Sequence, residues 1–247
     1  MERPSFPMFK LNPDLDEAIL REHFACEGRV QIADFLEAPQ ALALRASLSE
    51  RSDWRHVING ESQVFEIAAD QFDALPDETR KTLEQAMFAK ASHGFQFQFD
   101  TIRVPDEKSK RQAASEHLAA FATFMSSQEV LEFIAAITGE KGIGFADAQA
   151  TRYRPGDFLT RHDDAVAGKN RRLAYILGLT PGWRPDWGGL LLFHGAGENV
   201  TDIFVPHFNR LSLFAIGQPH SVSHVAPFAG AERLSVTGWL RTGRQPD

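Results

Sequence analysis

Nine histidines stand in the 247-residue chain, and five of them lie at or beyond residue 162. The segment running from Tyr153 to Asp164 places His162 two residues before Asp164. On a β-strand, residues i and i+2 face the same side, so His162 and Asp164 project together while Asp163 points to solvent. A neutral imidazole beside a carboxylate forms two thirds of a facial metal site that leaves coordination positions open. A third ligand, a histidine from a later strand, completes such a set. His220 and His224 both qualify; they share strand parity, so geometry alone does not choose between them. Zinc takes the same ligand types, so these residues by themselves leave iron and zinc both open.

A second constellation follows. In Arg233-Leu234-Ser235-Val236-Thr237-Gly238-Trp239-Leu240 the polar and apolar side chains alternate. Arg233, Ser235, Thr237 and Trp239 share one face, and Leu234, Val236 and Leu240 the other. A guanidinium buried inside a barrel needs an anion to compensate its desolvation. A dicarboxylate fits, with one end on the metal and the far carboxylate on Arg233 and Ser235.

These residues must be held by elements that the patterning also outlines. Before residue 145 helices dominate: residues 39–52, 76–89 and two stretches within 108–139, with Ser126 or Ser127 as a cap and Gly139 as a stop. Residues 28–36 and the Phe/Gln alternation at 95–104 read as strands. After residue 145 the chain predicts strands at 146–154, 157–164, 172–180, 188–195, 209–217, 221–228 and 232–240, separated by Gly, Pro and Asn breaks. Strands this short and closely spaced suggest a closed or double-sheeted antiparallel architecture, α+β in class, with helices packed on it. No Pro/Gly/Ser-rich linker divides the chain, which predicts a single catalytic domain over 1–247: a mainly helical support layer over 1–145 and the core over 146–241.

Composition narrows the classes. Hydrophobic content of 43% and charged content of 24% exclude a disordered or collagen-like chain. No apolar run approaches the roughly 20 residues of a membrane span, and residues 1–14 lack a signal-peptide shape. A net charge of −7 disfavours strong nucleic-acid binding and suits a basic protein partner. The single cysteine, Cys26, excludes an internal disulfide and a Cys-rich metal site, and is compatible with a reducing cytoplasm.

Residues 148–241 resemble the prolyl-hydroxylase branch of the Fe(II)/2-oxoglutarate dioxygenases. The resemblance rests on Y-x-x-G-D at 153–157, H-D-D at 162–164, R-R-L-A-Y-I-L from 171, G-G-x-L-x-F at 188–193, R-L-S-L-F at 210–214, P-H-S-V-S-x-V at 219–225 and R-L-S-V-T-G-W at 233–239. Within that branch the chain is most similar to the ribosomal-protein prolyl hydroxylases related to the yeast translation-termination and polyadenylation factor. The resemblance implies a double-stranded β-helix (jelly-roll or cupin-like) core buttressed by N-terminal helices. It implies His162, Asp164 and His220 as iron ligands, Arg233 as the 2-oxoglutarate partner with Ser235 beside it, and Tyr153 near the cosubstrate. It also implies Fe(II), 2-oxoglutarate and O2 as cofactor and cosubstrates, ascorbate as reductant, and hydroxylation of a prolyl residue with release of succinate and CO2. A ribosomal protein is one candidate substrate; oligomeric state is left open.

Two departures from the pattern stand out. Gly178 occupies a position where relatives often carry a tyrosine that assists the far carboxylate. The interval from His220 to Arg233 is slightly long, which keeps His224 in play as a ligand. The competing readings are a hydroxylase of a free amino acid or other small molecule, and a non-catalytic peptide-binding barrel. The remaining histidines (His23, His56, His93, His117, His194 and His207) are expected to be ordinary surface or core residues. Lys108, Lys110 and Arg111 are expected to form a solvated helix start, the twenty phenylalanines to fill the core, and the loop with Trp183 and Trp187 to lie near the barrel mouth.

Overall fold

The computed structural model describes residues 9–60, 63–114, 116–197 and 199–247. The start of the chain, on which the signal-peptide expectation partly rests, therefore lies outside the described residues up to residue 8. In chain order the elements begin with α1 (Glu17–Glu27), β1 (Arg29–Ile32), α2 (Ala38–Ser49), β2 (Arg55–Asn59), β3 (Val64–Ala68), α3 (Ala69–Asp73), α4 (Asp77–Ala91) and β4 (Phe97–Arg103). Next come α5 (Lys108–Ala113), α6 (His117–Met125), α7 (Gln128–Thr138), β5 (Ile143–Ala146), β6 (Gln149–Tyr153), β7 (Phe158–His162) and β8 (Arg171–Gly178). The chain ends with β9 (Leu191–His194), β10 (Val200–Phe204), β11 (Arg210–Ala215), β12 (His220–Val222) and β13 (Arg233–Thr242).

All strands pair antiparallel, in the order β1-β11-β8-β13-β6-β4-β7-β12-β9-β10, with β2 and β3 attached beside β4 and β5 beside β13. The sheet folds over on itself, so that Phe193 on β9 meets Phe214 on β11 with ring centroids 5.2 Å apart. Across the seam between the two ends, Arg29 on β1 reaches Asp202 on β10 at 2.9 Å. The result is a mixed helix-and-sheet fold with a nearly closed antiparallel barrel, the architecture of a double-stranded β-helix.

Alternation decides which face of each strand sees which core. On β8, Leu173, Tyr175 and Leu177 join the helix-side core, whereas Ala174 turns inward beside Phe193 and Phe214. On β13, Val236 and Leu240 join the helix side, as their parity requires. The covering layer comes from α6, six of whose nine residues are buried, and from α1, α2 and α7. Ser127 caps α7 by accepting from the Val130 N–H, and Gly139 ends it at φ +74°. No single helix among the described residues is long and apolar enough to cross a membrane.

Several expectations need correcting. Arg111 is not part of a solvated helix start: it is 3% exposed and donates to the carbonyls of Pro105, Ala122 and Ala146. The segment between His194 and His207, to which the patterning assigned no element, contains β10, and the β2–β3 hairpin gave no recognisable signal. Trp183 is buried in a small cluster with Tyr153, Val222 and Val225 and does not line the main cavity.

One buried carboxylate ties the N-terminal strands to the barrel. Asp100 on β4 is fully buried and accepts from His56 Nδ1 on β2 at 2.8 Å and from Arg152 Nη2 on β6 at 2.7 Å. Arg154 Nε lies 3.2 Å away. Burial pushes the Asp100 carboxyl up, but the His56 hydrogen bond and the two arginines outweigh it and hold it below the usual range. Asp100→Asn keeps the shape and leaves these cations facing a neutral amide, so urea unfolding at neutral pH should show a loss of about 3–5 kcal/mol. Because the folded carboxyl is the stronger acid, the wild-type advantage is full above about pH 4 and fades as pH falls through the folded value. An unchanged midpoint at neutral pH would remove Asp100 from this role.

Candidate metal centre and cosubstrate pocket

Strands β7 and β12 lie side by side with His162 and His220 in direct register. Their ring centroids are 4.1 Å apart. His162 Nδ1 lies 3.0 Å from the Thr160 carbonyl, and His220 Nδ1 lies 2.8 Å from the Gln218 carbonyl. Each carbonyl can only accept, so each Nδ1 carries the proton and each Nε2 presents its lone pair. Both lone pairs converge on one carboxylate: Asp164 Oδ1 is 3.6 Å from His162 Nε2, and Oδ2 is 3.4 Å from His220 Nε2. One donor atom from each residue lies within 4.8 Å of the others. Backbone carbonyls that fix the tautomer of ligand histidines are a usual companion of a bound metal.

The route by which Asp164 arrives differs from the strand argument. β7 ends at His162, and Asp164 sits in the connection with φ +61°. Aspartate tolerates this left-handed conformation better than most residues. Arg171 steadies the turn, donating from Nη1 to the Asp164 carbonyl at 3.3 Å while its guanidinium lies 3.5 Å from the centroid of the Trp239 ring. Sequence reasoning put Trp239 on the inward face but assigned Arg171 no role. Asp163 is exposed, as parity suggested.

His224 is not brought to this centre. It is exposed, and its ring packs toward Phe158 and Phe88 on the other side of the strands. The ambiguity between His220 and His224 arose because both share strand parity; β12 stops at Val222, so parity no longer relates them.

Burial and the neighbouring His220 ring hold His162 below its ordinary value, which keeps the imidazole neutral. For Asp164, burial acts upward, but its two histidine neighbours, His220 and then His162, outweigh it and keep the carboxyl below its ordinary range. Two neutral nitrogens and an ionised oxygen are what a divalent first-row metal requires.

Deeper in the same cavity of about 950 Å³ lies Arg233. It is 3% exposed, its Nε has no hydrogen-bond partner, and among the described residues no carboxylate pairs with it. Burial pulls its pKa down, while Tyr153, whose ring centroid is 5.1 Å away, acts in the opposite direction. Tyr153 pairs with Arg233 across β6 and β13. Burial drives the Tyr153 phenol upward, so it stays a protonated donor. Two register positions on, Ser235 Oγ and Thr151 Oγ1 are 2.8 Å apart. The cavity therefore carries an unpaired cation with hydroxyl groups at one end, Arg233 beside Tyr153 and Thr151, and the three metal-type donors at the other. That combination fits a metal-chelating anion with a second acidic end.

At Gly178 the backbone explains the absent side chain. A Cβ there would fall 2.2 Å from the His207 carbonyl oxygen, and Asn209 N donates to the Gly178 carbonyl at 2.8 Å. The chain leading into β11 occupies the space a tyrosine would need.

Residues 148–241 match the family described as the 2OG-Fe(II) oxygenase superfamily. The curated proteins the chain is similar to include prolyl 3-hydroxylases. The prolyl 3-hydroxylase OGFOD1 of Mus musculus is 34% identical over 101 residues, which cover 38% of this chain and 18% of that protein. The chain thus spans about a fifth of the length of the curated relatives it matches. A crystal structure of a prolyl-4-hydroxylase from Pseudomonas putida superposes with a TM-score of 0.57 at 24% identity, covering 92% of this chain and all of that one. A prolyl hydroxylase from Trichoplax adhaerens, solved with a hypoxia inducible factor peptide fragment, gives 0.59 at 16% identity over 91% and 88% of the two chains. These likenesses support the barrel fold.

Titration with Mn(II), a spectroscopically convenient surrogate, checks the donor set. His162→Ala, Asp164→Ala and His220→Ala should each weaken binding by roughly 100-fold or more. His224→Ala should bind like the wild type; a loss there equal to that of His220→Ala would reinstate it as a ligand.

Proposed function

We propose that the chain is an Fe(II)- and 2-oxoglutarate-dependent dioxygenase that hydroxylates a prolyl residue in a protein. The observation that carries this reading is Arg233, a buried cation without a counter-ion in the same cavity as the His162/Asp164/His220 set. In this reading the whole chain, 1–247, works as one catalytic unit.

His162, Asp164 and His220 hold the iron. Bound Fe(II) supplies the oxidative chemistry, in which 2-oxoglutarate and O2 are consumed, succinate and CO2 leave, and a substrate C–H becomes C–OH. The Thr160 and Gln218 carbonyls keep the two imidazoles in the tautomer that directs Nε2 inward. Arg233 neutralises the far carboxylate of 2-oxoglutarate, Ser235 lies beside it, and the Tyr153 phenol donates from across the strand pair. With Gly178 unable to accept a tyrosine, Tyr153 takes over the phenol contact to that end. Ascorbate serves as the reductant that keeps the metal ferrous, and the reaction runs in the cytoplasm. The net charge of −7 favours a basic protein substrate, with ribosomal proteins as the first class to test.

Arg233→Met separates binding from stability. Replacing a buried unpaired cation by an apolar side chain of similar length should leave the ligand-free protein as stable or more so. The same change should abolish measurable 2-oxoglutarate binding by calorimetry in the presence of Mn(II). Retained binding would move the cosubstrate away from Arg233.

The substrate assignment is tested by incubating the chain with Fe(II), 2-oxoglutarate, ascorbate and ribosomal proteins or proline-containing peptides. The expected product is a prolyl residue heavier by one oxygen atom, absent with His162→Ala. Stoichiometric succinate with free amino acids alone would overturn the protein-substrate reading. No turnover with any substrate would overturn the enzyme reading.

A further inference from the structure

Strand β4 is built inside out. In the segment 95–100, which leads into and opens β4, Gln96, Gln98 and Asp100 are 1%, 4% and 0% exposed, whereas on the opposite parity Phe95 is exposed and Phe97 and Phe99 are only half-buried. The buried side is sealed by hydrogen bonds: Gln98 Nε2 donates to the Gly156 carbonyl at 2.8 Å, and Gln96 N–H donates to Thr160 Oγ1 at 2.7 Å. The apolar side faces the cavity that holds the metal-type donors. Globular strands bury the apolar face and wet the polar one, so this reversal needs an apolar occupant to offset it.

The three rings form a continuous wall. Centroids are 5.6 Å apart from Phe95 to Phe97, 5.5 Å from Phe97 to Phe99, and 5.0 Å from Phe99 to Tyr153, which stands across from Arg233. At the outer end Phe95 is 49% exposed and lies 5.7 Å from the His162 ring. Val64 and Val166, 48% and 49% exposed, line the same cavity. The wall therefore runs from the cosubstrate anchor, past the donor set, to an apolar rim. The cavity volume of about 950 Å³ is near the top of the roughly 300–1,000 Å³ range of small-molecule sites. A small dicarboxylate occupies the Arg233 end and leaves the length of the wall free.

We infer that the Phe95–Phe97–Phe99 wall is a specificity subsite for a polypeptide segment whose residue next to the oxidised one is apolar. This rests on the proposed oxygenase reading and adds the substrate's sequence preference to it. An aliphatic or aromatic neighbour covers the exposed rings and leaves water. A carboxylate neighbour loses its hydration against the negative faces of the rings. A free amino acid carries both charges and is too short to reach from the donor set to the rim.

The test uses labelled peptides with proline or alanine at the centre and leucine, aspartate or lysine on both sides of it. Binding is read by fluorescence anisotropy against the chain loaded with Mn(II) and 2-oxoglutarate. The leucine peptide should bind roughly tenfold to a hundredfold more tightly than the aspartate peptide. Phe95→Ala and Phe97→Ala should each bring that ratio to within about threefold. Phe228→Ala, an exposed phenylalanine outside the cavity, should leave it unchanged. Should Phe97→Ala fail to fold, Phe95→Ala carries the test, because half of its ring is already in solvent. Aspartate or lysine peptides that bind as tightly as leucine, a ratio unaffected by Phe95→Ala, or no peptide binding at all would each overturn the inference. Parallel turnover assays with Fe(II) separate it from the prolyl reading. Leucine selectivity without prolyl oxidation sinks only the prolyl assignment, and prolyl oxidation indifferent to the neighbour sinks only the subsite.

Discussion

A guanidinium without a counter-ion, buried at the start of β13, is the constraint on which the architecture turns. Holding Arg233 there without an anion costs several kcal/mol, as for any unpaired interior charge, and a ligand anion would offset that cost. β13 is therefore central: it pairs with β6, β8 and β5, and its polar alternate residues line the barrel while Val236 and Leu240 anchor it to the helices. The helical layer fixes the back of β13 so that its front can stay polar and open. In the ligand-free protein the structure holds this charge in place with packing it gains elsewhere.

The donor set obeys a different logic. Its two imidazoles come from adjacent strands in register, so their separation follows from ordinary strand spacing and not from loop conformation. Only the carboxylate depends on an irregular connection, and there the left-handed Asp164 is held by Arg171, itself stacked on Trp239 of β13. The same strand thus bears the unpaired cation of the cavity and the aromatic plate behind the carboxylate. A shift of β13 would disturb both ends of the cavity together, which makes its register the most sensitive geometric quantity in the molecule.

Much of this was legible in the residues. Alternation in 233–240 is strict, so the inward face of β13 could be assigned directly, and the His162/Asp164 spacing pointed to two residues that the structure brings together. The reason behind that pairing was wrong in detail, since Asp164 lies beyond the strand and reaches the site through its own backbone conformation. His220 could not be separated from His224 by parity, because the early end of β12 is set by pairing with β7 and β9 and not by local sequence. The β2–β3 hairpin was invisible because its pattern is weak and its partner, β4, is remote in sequence. Arg111 looked like a surface charge because nothing local reveals the three carbonyls that converge on it.

The Phe/Gln alternation at 95–99 shows where periodicity stops being informative. Period-two patterning identifies a strand and separates its faces, but hydrophobicity then predicts that the phenylalanines are the buried side. Here the glutamines are buried, because their amides and backbone have partners in β7 and the Gly156 turn, and the rings are left on the cavity wall. A strand resolved this way gives up burial of its most apolar residues in the ligand-free state. That loss is recovered only by an occupant that covers the rings, which is the physical ground for the subsite proposed there.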